Sequence, residues 1–68
     1  MEIILNGEPR DLPVGTTVAG LIGTLGVRAD GRGVAVAVDG VVVPRAVWGE
    51  TPLAPDACVE VLVAVQGG

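Results

Sequence analysis

The sequence predicts a small α+β domain with one helix packed across a face of a mixed sheet of about four to five strands. Short apolar runs with strand-like alternation are separated by Asn6-Gly7 and Asp39-Gly40, which are strong signals for two-residue hairpin turns. Between the two hairpins, a single segment has the apolar spacing of a helix. A length of 68 residues allows only one such domain.

The first predicted hairpin comprises a strand over residues 1–5 and a return strand over residues 8–12. Proline has no N–H to donate to a neighbouring strand, so Pro9 places the return strand at an edge of the sheet or at a bulge. The strand before it has Ile3 on one face and Ile4 on the other, as expected for a period of two.

The predicted helix begins after Thr16 and Thr17, either of which can supply an N-cap hydroxyl. Gly20 and Gly23 weaken it, and their lack of a side chain would let its backbone approach the sheet closely. Gly26 is a suitable residue to end it. The apolar stripe that would pack on the sheet consists of Val18, Leu21, Ile22 and Leu25.

A polar, glycine-rich loop over residues 28–33 precedes the second predicted hairpin. It does not have the features of a phosphate-binding loop, because no lysine follows it and no strand–loop–helix order surrounds it, so we expect a solvated connection. The hairpin pairs residues 34–38 with residues 41–43, and Pro44 ends its second strand. The continuous apolar run 34–38 predicts a strand that is covered on at least part of both faces.

The last predicted strand covers residues 58–65 and follows a proline-rich loop that Leu53 is expected to anchor in the core. Valines alternate along this strand with other residues, which is typical of a strand with one covered face. Cys58 is interpreted as a small packing residue at the start of the strand.

The order of hairpin, helix, hairpin and final strand matches the ubiquitin-like β-grasp arrangement. In that topology the first and last strands lie side by side and parallel in the centre of the sheet. We therefore predict a β-grasp domain over residues 1–64 and a flexible C-terminal tail over residues 65–68.

The predicted tail, Val65-Gln66-Gly67-Gly68, ends in two glycines without side chains to pack. Such a segment loses much conformational freedom on ordering, so it is expected to stay extended and mobile until a partner holds it. At ~3.3 Å per residue, four residues reach roughly 13 Å. The tail is therefore suited to entering a narrow channel and delivering the carboxylate of Gly68 to an active site on another protein.

The rest of the sequence offers little chemistry. It has no histidine, no lysine and one cysteine, so the commonest general base, a Schiff-base nucleophile and a Cys/His metal site are all missing. The carboxylates are scattered, mostly at turns; Asp39 is explained as a turn residue and Glu60 as a solvent-facing strand residue. We therefore predict a protein that is not an enzyme and binds no metal or other cofactor.

The formal net charge of −4, with four arginines and no basic cluster, argues against nucleic acid and favours a basic protein surface as partner. No apolar run is long enough for a membrane span, and no signal peptide is evident. Together with the single cysteine, this predicts a cytoplasmic protein that is monomeric when free.

Trp48 is the only aromatic residue, and Arg45 lies three positions before it. The favoured interpretation is that Trp48 covers one end of the core, with Arg45 beside it; the alternative is that both contact a partner. A second candidate contact surface is the sheet face without the helix, where an excess of apolar side chains would indicate docking.

Taken together, four features resemble the ThiS family, the sulfur carrier proteins of thiamine biosynthesis. They are the Asn6-Gly7 turn, the helix entry at residues 15–18, the Pro44-Arg45-x-x-Trp48 element and the terminal Gly67-Gly68. The resemblance covers essentially the whole chain. It departs from the family at Pro55-Asp56-Ala57, where an Asp-Gly-Asp-type turn is expected.

The resemblance implies that an adenylating enzyme similar to ThiF uses ATP to convert the Gly68 carboxylate into an acyl-adenylate. Sulfur from a persulfide donor then replaces AMP to give a thiocarboxylate. A thiazole synthase similar to ThiG receives this sulfur. Gln66 and Gly67 would be needed for channel entry, because a side chain at Gly67 would obstruct the channel.

Other functions agree with a β-grasp domain that ends in Gly-Gly. One is the small subunit of molybdopterin synthase, or a carrier for another sulfur metabolite. A second is a ubiquitin-like modifier that forms isopeptide bonds with other proteins. A third is a binding module whose tail is incidental. The short chain and the Pro-Arg-x-x-Trp element favour the thiamine carrier over the molybdopterin subunit.

Overall fold

Two hairpins and a final strand form a five-stranded sheet in a computed structural model, which describes residues 1–27 and 32–64. The elements in chain order are β1 (Glu2–Leu5), β2 (Glu8–Asp11), α1 (Val18–Gly23), β3 (Val34–Val38), β4 (Val41–Val42), a 3-10 helix (Arg45–Glu50) and β5 (Cys58–Val63). The strand order is β2-β1-β5-β3-β4; β1 and β5 are parallel and the other pairs are antiparallel. The predicted β-grasp class is confirmed.

Both hairpins turn at the dipeptides that predicted them. Asn6 and Gly7 have φ values of 49° and 83°, and Asp39 and Gly40 have values of 50° and 82°. Two successive residues with positive φ are typical of the type I′ turn, which matches the twist of the flanking strands. The return strand that contains Pro9 lies at the edge of the sheet, as predicted.

The helix is capped as predicted but is shorter than its apolar stripe. The Thr17 hydroxyl accepts a hydrogen bond from Gly20 N–H at 3.1 Å. The α-helix ends at Gly23, because Thr24 N–H and Leu25 N–H bond to carbonyls three residues earlier and tighten the chain into a turn. Leu25 still packs against the core from this turn. Gly26, the residue predicted to end the helix, has φ 71° and lies three positions beyond the observed end at Gly23.

The two helix glycines do not bring the helix closer to the sheet, contrary to expectation. Gly20 and Gly23 are both exposed. A Cβ atom on Gly20 would meet only Thr16 and Thr17 at the start of the helix, and one on Gly23 would meet nothing within 4 Å. The face toward the sheet consists of the larger residues Val18, Leu21 and Ile22.

The core is aliphatic except for Trp48 and contains no buried polar side chain among the residues described. Val18 and Leu21 of the helix and Ile3, Val36 and Val59 of the sheet are almost completely inaccessible to solvent. Leu53 is buried, as predicted, and its N–H donates to the Thr16 carbonyl at 2.9 Å. The proline-rich loop is thereby fixed to the entry of the helix.

The last strand alternates as predicted at Val59 and Val61, which are buried, and at Glu60 and Leu62, which are exposed. Two expectations are wrong. Cys58 is exposed and is not a packing residue, because its position in the alternation turns it away from the core. Val63 is 52% exposed, and the strand ends there rather than at residue 65.

The turn before β5 achieves its geometry without glycine. Ala57 N–H donates to the Ala54 carbonyl at 3.2 Å, and Asp56 adopts φ 66°. Aspartate tolerates this left-handed conformation better than most residues. Asp56 N–H also donates to the Glu2 carbonyl at 2.7 Å, so the departure from the family pattern preserves a tight turn beside β1.

Most of the predicted polar loop lies outside the described residues, because residues 28–31 are not described. Within residues 1–27 and 32–64, no helix has the length and apolarity needed to span a membrane.

Substituting Leu21 by alanine is expected to lower the free energy of unfolding by about 2–5 kcal/mol, because it removes buried methyl groups and leaves a cavity between helix and sheet. A core this small rarely supplies more than about 3–5 kcal/mol, so the variant is expected to be largely unfolded. Urea denaturation followed by Trp48 fluorescence measures the change.

The matched control is Val14→Ala, because Val14 is 85% exposed and its truncation is expected to change stability by less than about 0.5 kcal/mol. Equal stability of the Leu21→Ala variant and the unsubstituted chain would contradict the packing of α1 on the sheet.

Candidate functional site

The centre of the sheet leads directly to the C-terminal segment. Strand β5 lies between β1 and β3 and ends at Val63. Ala64, the last residue described, donates its N–H to the Gly33 carbonyl at 2.6 Å. The predicted site residues Gln66, Gly67 and Gly68 lie outside the described residues, and the structure describes the strand that precedes them.

Asn6 holds β5 on the side opposite Gly33. Its backbone N–H donates to the Val59 carbonyl at 2.9 Å. Its side-chain amide binds Val61 twice: Oδ1 accepts from Val61 N–H at 2.9 Å, and Nδ2 donates to the Val61 carbonyl at 3.2 Å. The sequence marked Asn6 only as a turn residue. Nothing in its local pattern indicated a bond to a strand 55 positions away.

The sheet face without the helix carries a shallow apolar hollow. Ala35, Ala37, Val42 and Leu62 line it together with Glu60, and we call these four apolar residues the apolar face. They share one side of the sheet, because Ala35 pairs with Leu62 and Ala37 pairs with Val42.

The largest side chains of the apolar face are open to solvent. Leu62 is 69% exposed and Val42 is 71% exposed, with no other element over them in the part of the chain that the structure describes. Adjacent apolar side chains that remain exposed are a common mark of a contact surface. The apolar face adjoins the end of β5, so a protein docked there would lie beside the C-terminal segment.

Trp48 lies in the core, as the favoured interpretation requires. Its side chain is only 6% exposed, and the indole N–H donates to the Val43 carbonyl at 2.8 Å. Arg45, in the same 3-10 helix, is exposed and has no hydrogen-bonding or ionic partner among the described residues. Of the two residues considered as partner contacts, only Arg45 presents its side chain to solvent.

No three histidine, cysteine or acidic side chains within residues 1–27 and 32–64 come together where they could hold a metal. Cys58 and Asp39 are neighbours, but the Asp39 carboxylate accepts from the Cys58 backbone N–H at 2.9 Å. That contact holds the start of β5.

The ThiS family model matches residues 3–68, which is nearly the entire chain and includes the terminal glycines. The chain belongs to the ThiS family. Members of this family are carrier proteins and not enzymes. A comparison with curated protein sequences returns no significant match.

Two solved structures share the fold of this ThiS-family chain. A crystal structure of a thiamine biosynthesis protein (ThiS) from Geobacter metallireducens is 28% identical, with full coverage of both chains and a TM-score of 0.81. An NMR solution structure of a thiamine biosynthesis protein from the same organism is 28% identical; the match covers all of this chain and 88% of that one, with a TM-score of 0.82.

Replacing Trp48 by phenylalanine is expected to lower the free energy of unfolding by about 1–3 kcal/mol, because the Val43 carbonyl loses its donor and the core loses volume. Arg45→Ala is expected to change it by less than about 0.5 kcal/mol, because the side chain is exposed. Urea denaturation followed by far-ultraviolet circular dichroism suits both variants, since the first lacks the fluorophore. A loss of stability in Arg45→Ala as large as that in Trp48→Phe would contradict the separation of their roles.

Proposed function

We propose that this ThiS-family chain carries sulfur for thiamine biosynthesis as a thiocarboxylate on Gly68. The observation that carries the proposal is the family match, which continues through the terminal Gly67-Gly68. The position of β5 supports it, because a central strand fixed on both sides leads into these residues. The reactions themselves are proposed to occur on partner enzymes.

Activation is proposed to begin on an adenylating enzyme of the ThiF type. The Gly68 carboxylate attacks the α-phosphate of ATP, giving an acyl-adenylate and pyrophosphate. The terminal sulfur of a protein persulfide attacks the acyl carbon and expels AMP. A second thiol then cleaves the S–S bond, which leaves a thiocarboxylate on Gly68 and a disulfide on the donor. A thiazole synthase of the ThiG type accepts the sulfur.

For these steps the carrier needs a C-terminal segment that is long enough to reach the partner's active site and narrow enough to enter its channel. From Ala64, the last residue described, four residues can span at most roughly 13 Å at ~3.3 Å per residue. Residues 65–68 therefore serve as the arm and residues 1–64 as the body. Gly67 and Gln66 are proposed to occupy the partner's channel, with the smallest side chain next to the reacting carboxylate.

The apolar face is proposed as the docking surface for the adenylating enzyme. It combines exposed Leu62 and Val42 with a position beside the end of β5. Arg45 is proposed as a peripheral polar contact. The net charge of −4 favours a basic surface around the partner's channel, which would speed encounter at low ionic strength.

The function is tested by intact-mass measurement after incubation with ATP, a ThiF-type enzyme and a persulfide donor. The expected result is a mass gain equal to replacing one oxygen by sulfur, located on Gly68. A chain with one residue added after Gly68 is expected to show no gain, and Gly67→Val is expected to slow adenylation strongly. An unchanged mass, with the enzyme active on a control carrier, would refute the proposal, whereas isopeptide conjugates on a denaturing gel would indicate a protein modifier.

Docking through the apolar face is tested by Leu62→Glu. A buried charge opposite an apolar partner surface is costly, so the carrier concentration that half-saturates adenylation is expected to rise roughly tenfold or more, with stability unchanged.

Val14→Glu adds the same charge at an exposed valine in the loop between β2 and α1, and β2 is the sheet edge opposite β4. This variant is expected to leave half-saturation within about twofold. Equal effects of the two substitutions would indicate general charge repulsion and contradict docking at this face.

A further inference from the structure

We propose that Asn6 is a positioning residue for the reacting end of the chain: its side-chain amide fixes β5 at Val61 and so sets the direction in which residues 65–68 leave the domain. The inference rests on the proposed function, because it concerns the segment that delivers Gly68. It depends on the contacts between Asn6 and β5 and on the place where strand pairing stops.

The pairing of β1 with β5 stops before β5 ends. The register runs from Ile4 opposite Cys58 to Leu5 opposite Val59, and the main chain then turns away at Asn6 with φ 49°. On its other side, β5 stays paired with β3 as far as Val63. Without a further contact, the part of β5 after Val59 would be an edge strand, held on one side only.

The side chain of Asn6 supplies that further contact. A primary amide has the same donor and acceptor groups as a peptide unit. Here Oδ1 accepts from Val61 N–H at 2.9 Å and Nδ2 donates to the Val61 carbonyl at 3.2 Å. The amide thus satisfies the two groups that a continued β1 would have paired, while the backbone of Asn6 makes the hairpin turn.

The last part of β5 is therefore held on both sides, within three residues of Ala64. Asn6 holds Val61 on the β1 side, and the Gly33 carbonyl holds Ala64 N–H at 2.6 Å on the β3 side. Two contacts on opposite edges restrict rotation of the strand about its own axis. When a partner's channel holds residues 65–68 extended, a change of direction at Val61 would displace Gly68 relative to the docked domain.

A second turn residue provides a matched control. Asp39 has φ 50° and precedes a glycine, as Asn6 does. Its carboxylate accepts from Cys58 N–H at 2.9 Å, and its own N–H donates to the Cys58 carbonyl at 2.8 Å. Asp39 therefore holds the same strand from a hairpin turn, but at the end remote from residues 65–68.

The experiment compares Asn6→Gly with Asp39→Gly, since glycine keeps each turn and removes only the side-chain contact. Single-turnover adenylation by a ThiF-type enzyme is measured against carrier concentration, below the melting temperature of every variant. For Asn6→Gly, the rate constant at saturation is expected to fall roughly tenfold while half-saturation stays within twofold, because docking is intact but the carboxylate is misplaced. Asp39→Gly is expected to match the unsubstituted chain in both quantities.

Equal losses of rate in the two variants would overturn the inference, since they would show general loosening of β5. No loss in Asn6→Gly would overturn it as well. If Asn6→Gly is unfolded, Asn6→Asp replaces it, because aspartate keeps the acceptor for Val61 N–H and loses the donor. If the rate constant of Asn6→Asp at saturation equals that of the unsubstituted chain, the inference is overturned.

Residual dipolar couplings of the Val63 and Ala64 N–H groups separate this inference from the proposed function. The couplings are expected to change in Asn6→Gly and not in Asp39→Gly, and unchanged couplings in both would overturn the inference without reference to any enzyme. Failure of the unsubstituted chain to be adenylated would refute the proposed function and leave the couplings to decide the role of Asn6.

Discussion

The parallel pairing of β1 with β5 is the interaction on which the rest of the structure depends. It joins the first and last strands of the chain, and the two hairpins extend the sheet outward from them. The buried valines of β5 and Ile3 of β1 then form the floor on which α1 packs. Because β5 lies between β1 and β3, residues 65–68 follow a central strand of the sheet rather than an edge strand.

The short helix α1 packs on a small aliphatic core. Its six residues hold three buried side chains, Val18, Leu21 and Ile22, over the sheet, and the loop around Leu53 closes the remaining side. An isolated helix of this length is unstable in water, so its stability comes from packing and from the Thr17 cap. The limited apolar area forms a single layer of contacts between helix and sheet. No buried polar side chain occurs in it among the described residues.

Two features converge at the end of β5 where the chain leaves the sheet. The apolar face lies beside it, with Leu62 exposed on the strand itself, and the side chain of Asn6 fixes the adjacent Val61. A carrier has to dock by its body and react by its end. In the proposed function the same strand would serve both needs, since Leu62 belongs to the proposed docking surface and the backbone of β5 leads to the segment proposed to react.

The sequence alone determined the local elements, because their signals lie within a few residues. Asn6-Gly7 and Asp39-Gly40 fix their turns through backbone preference, and the period of two in residues 58–62 fixes which side chains share a face. The family and its glycine end were also readable from short motifs.

Only the tertiary structure decided how these elements contact one another. The bond between Asn6 and Val61 joins positions far apart in the chain, and the exposure of Cys58 depends on the face to which β5 turns it. The early end of α1 and the outward position of Gly20 follow from how the helix rests on the sheet. Such contacts depend on distance in space, which a local pattern does not encode.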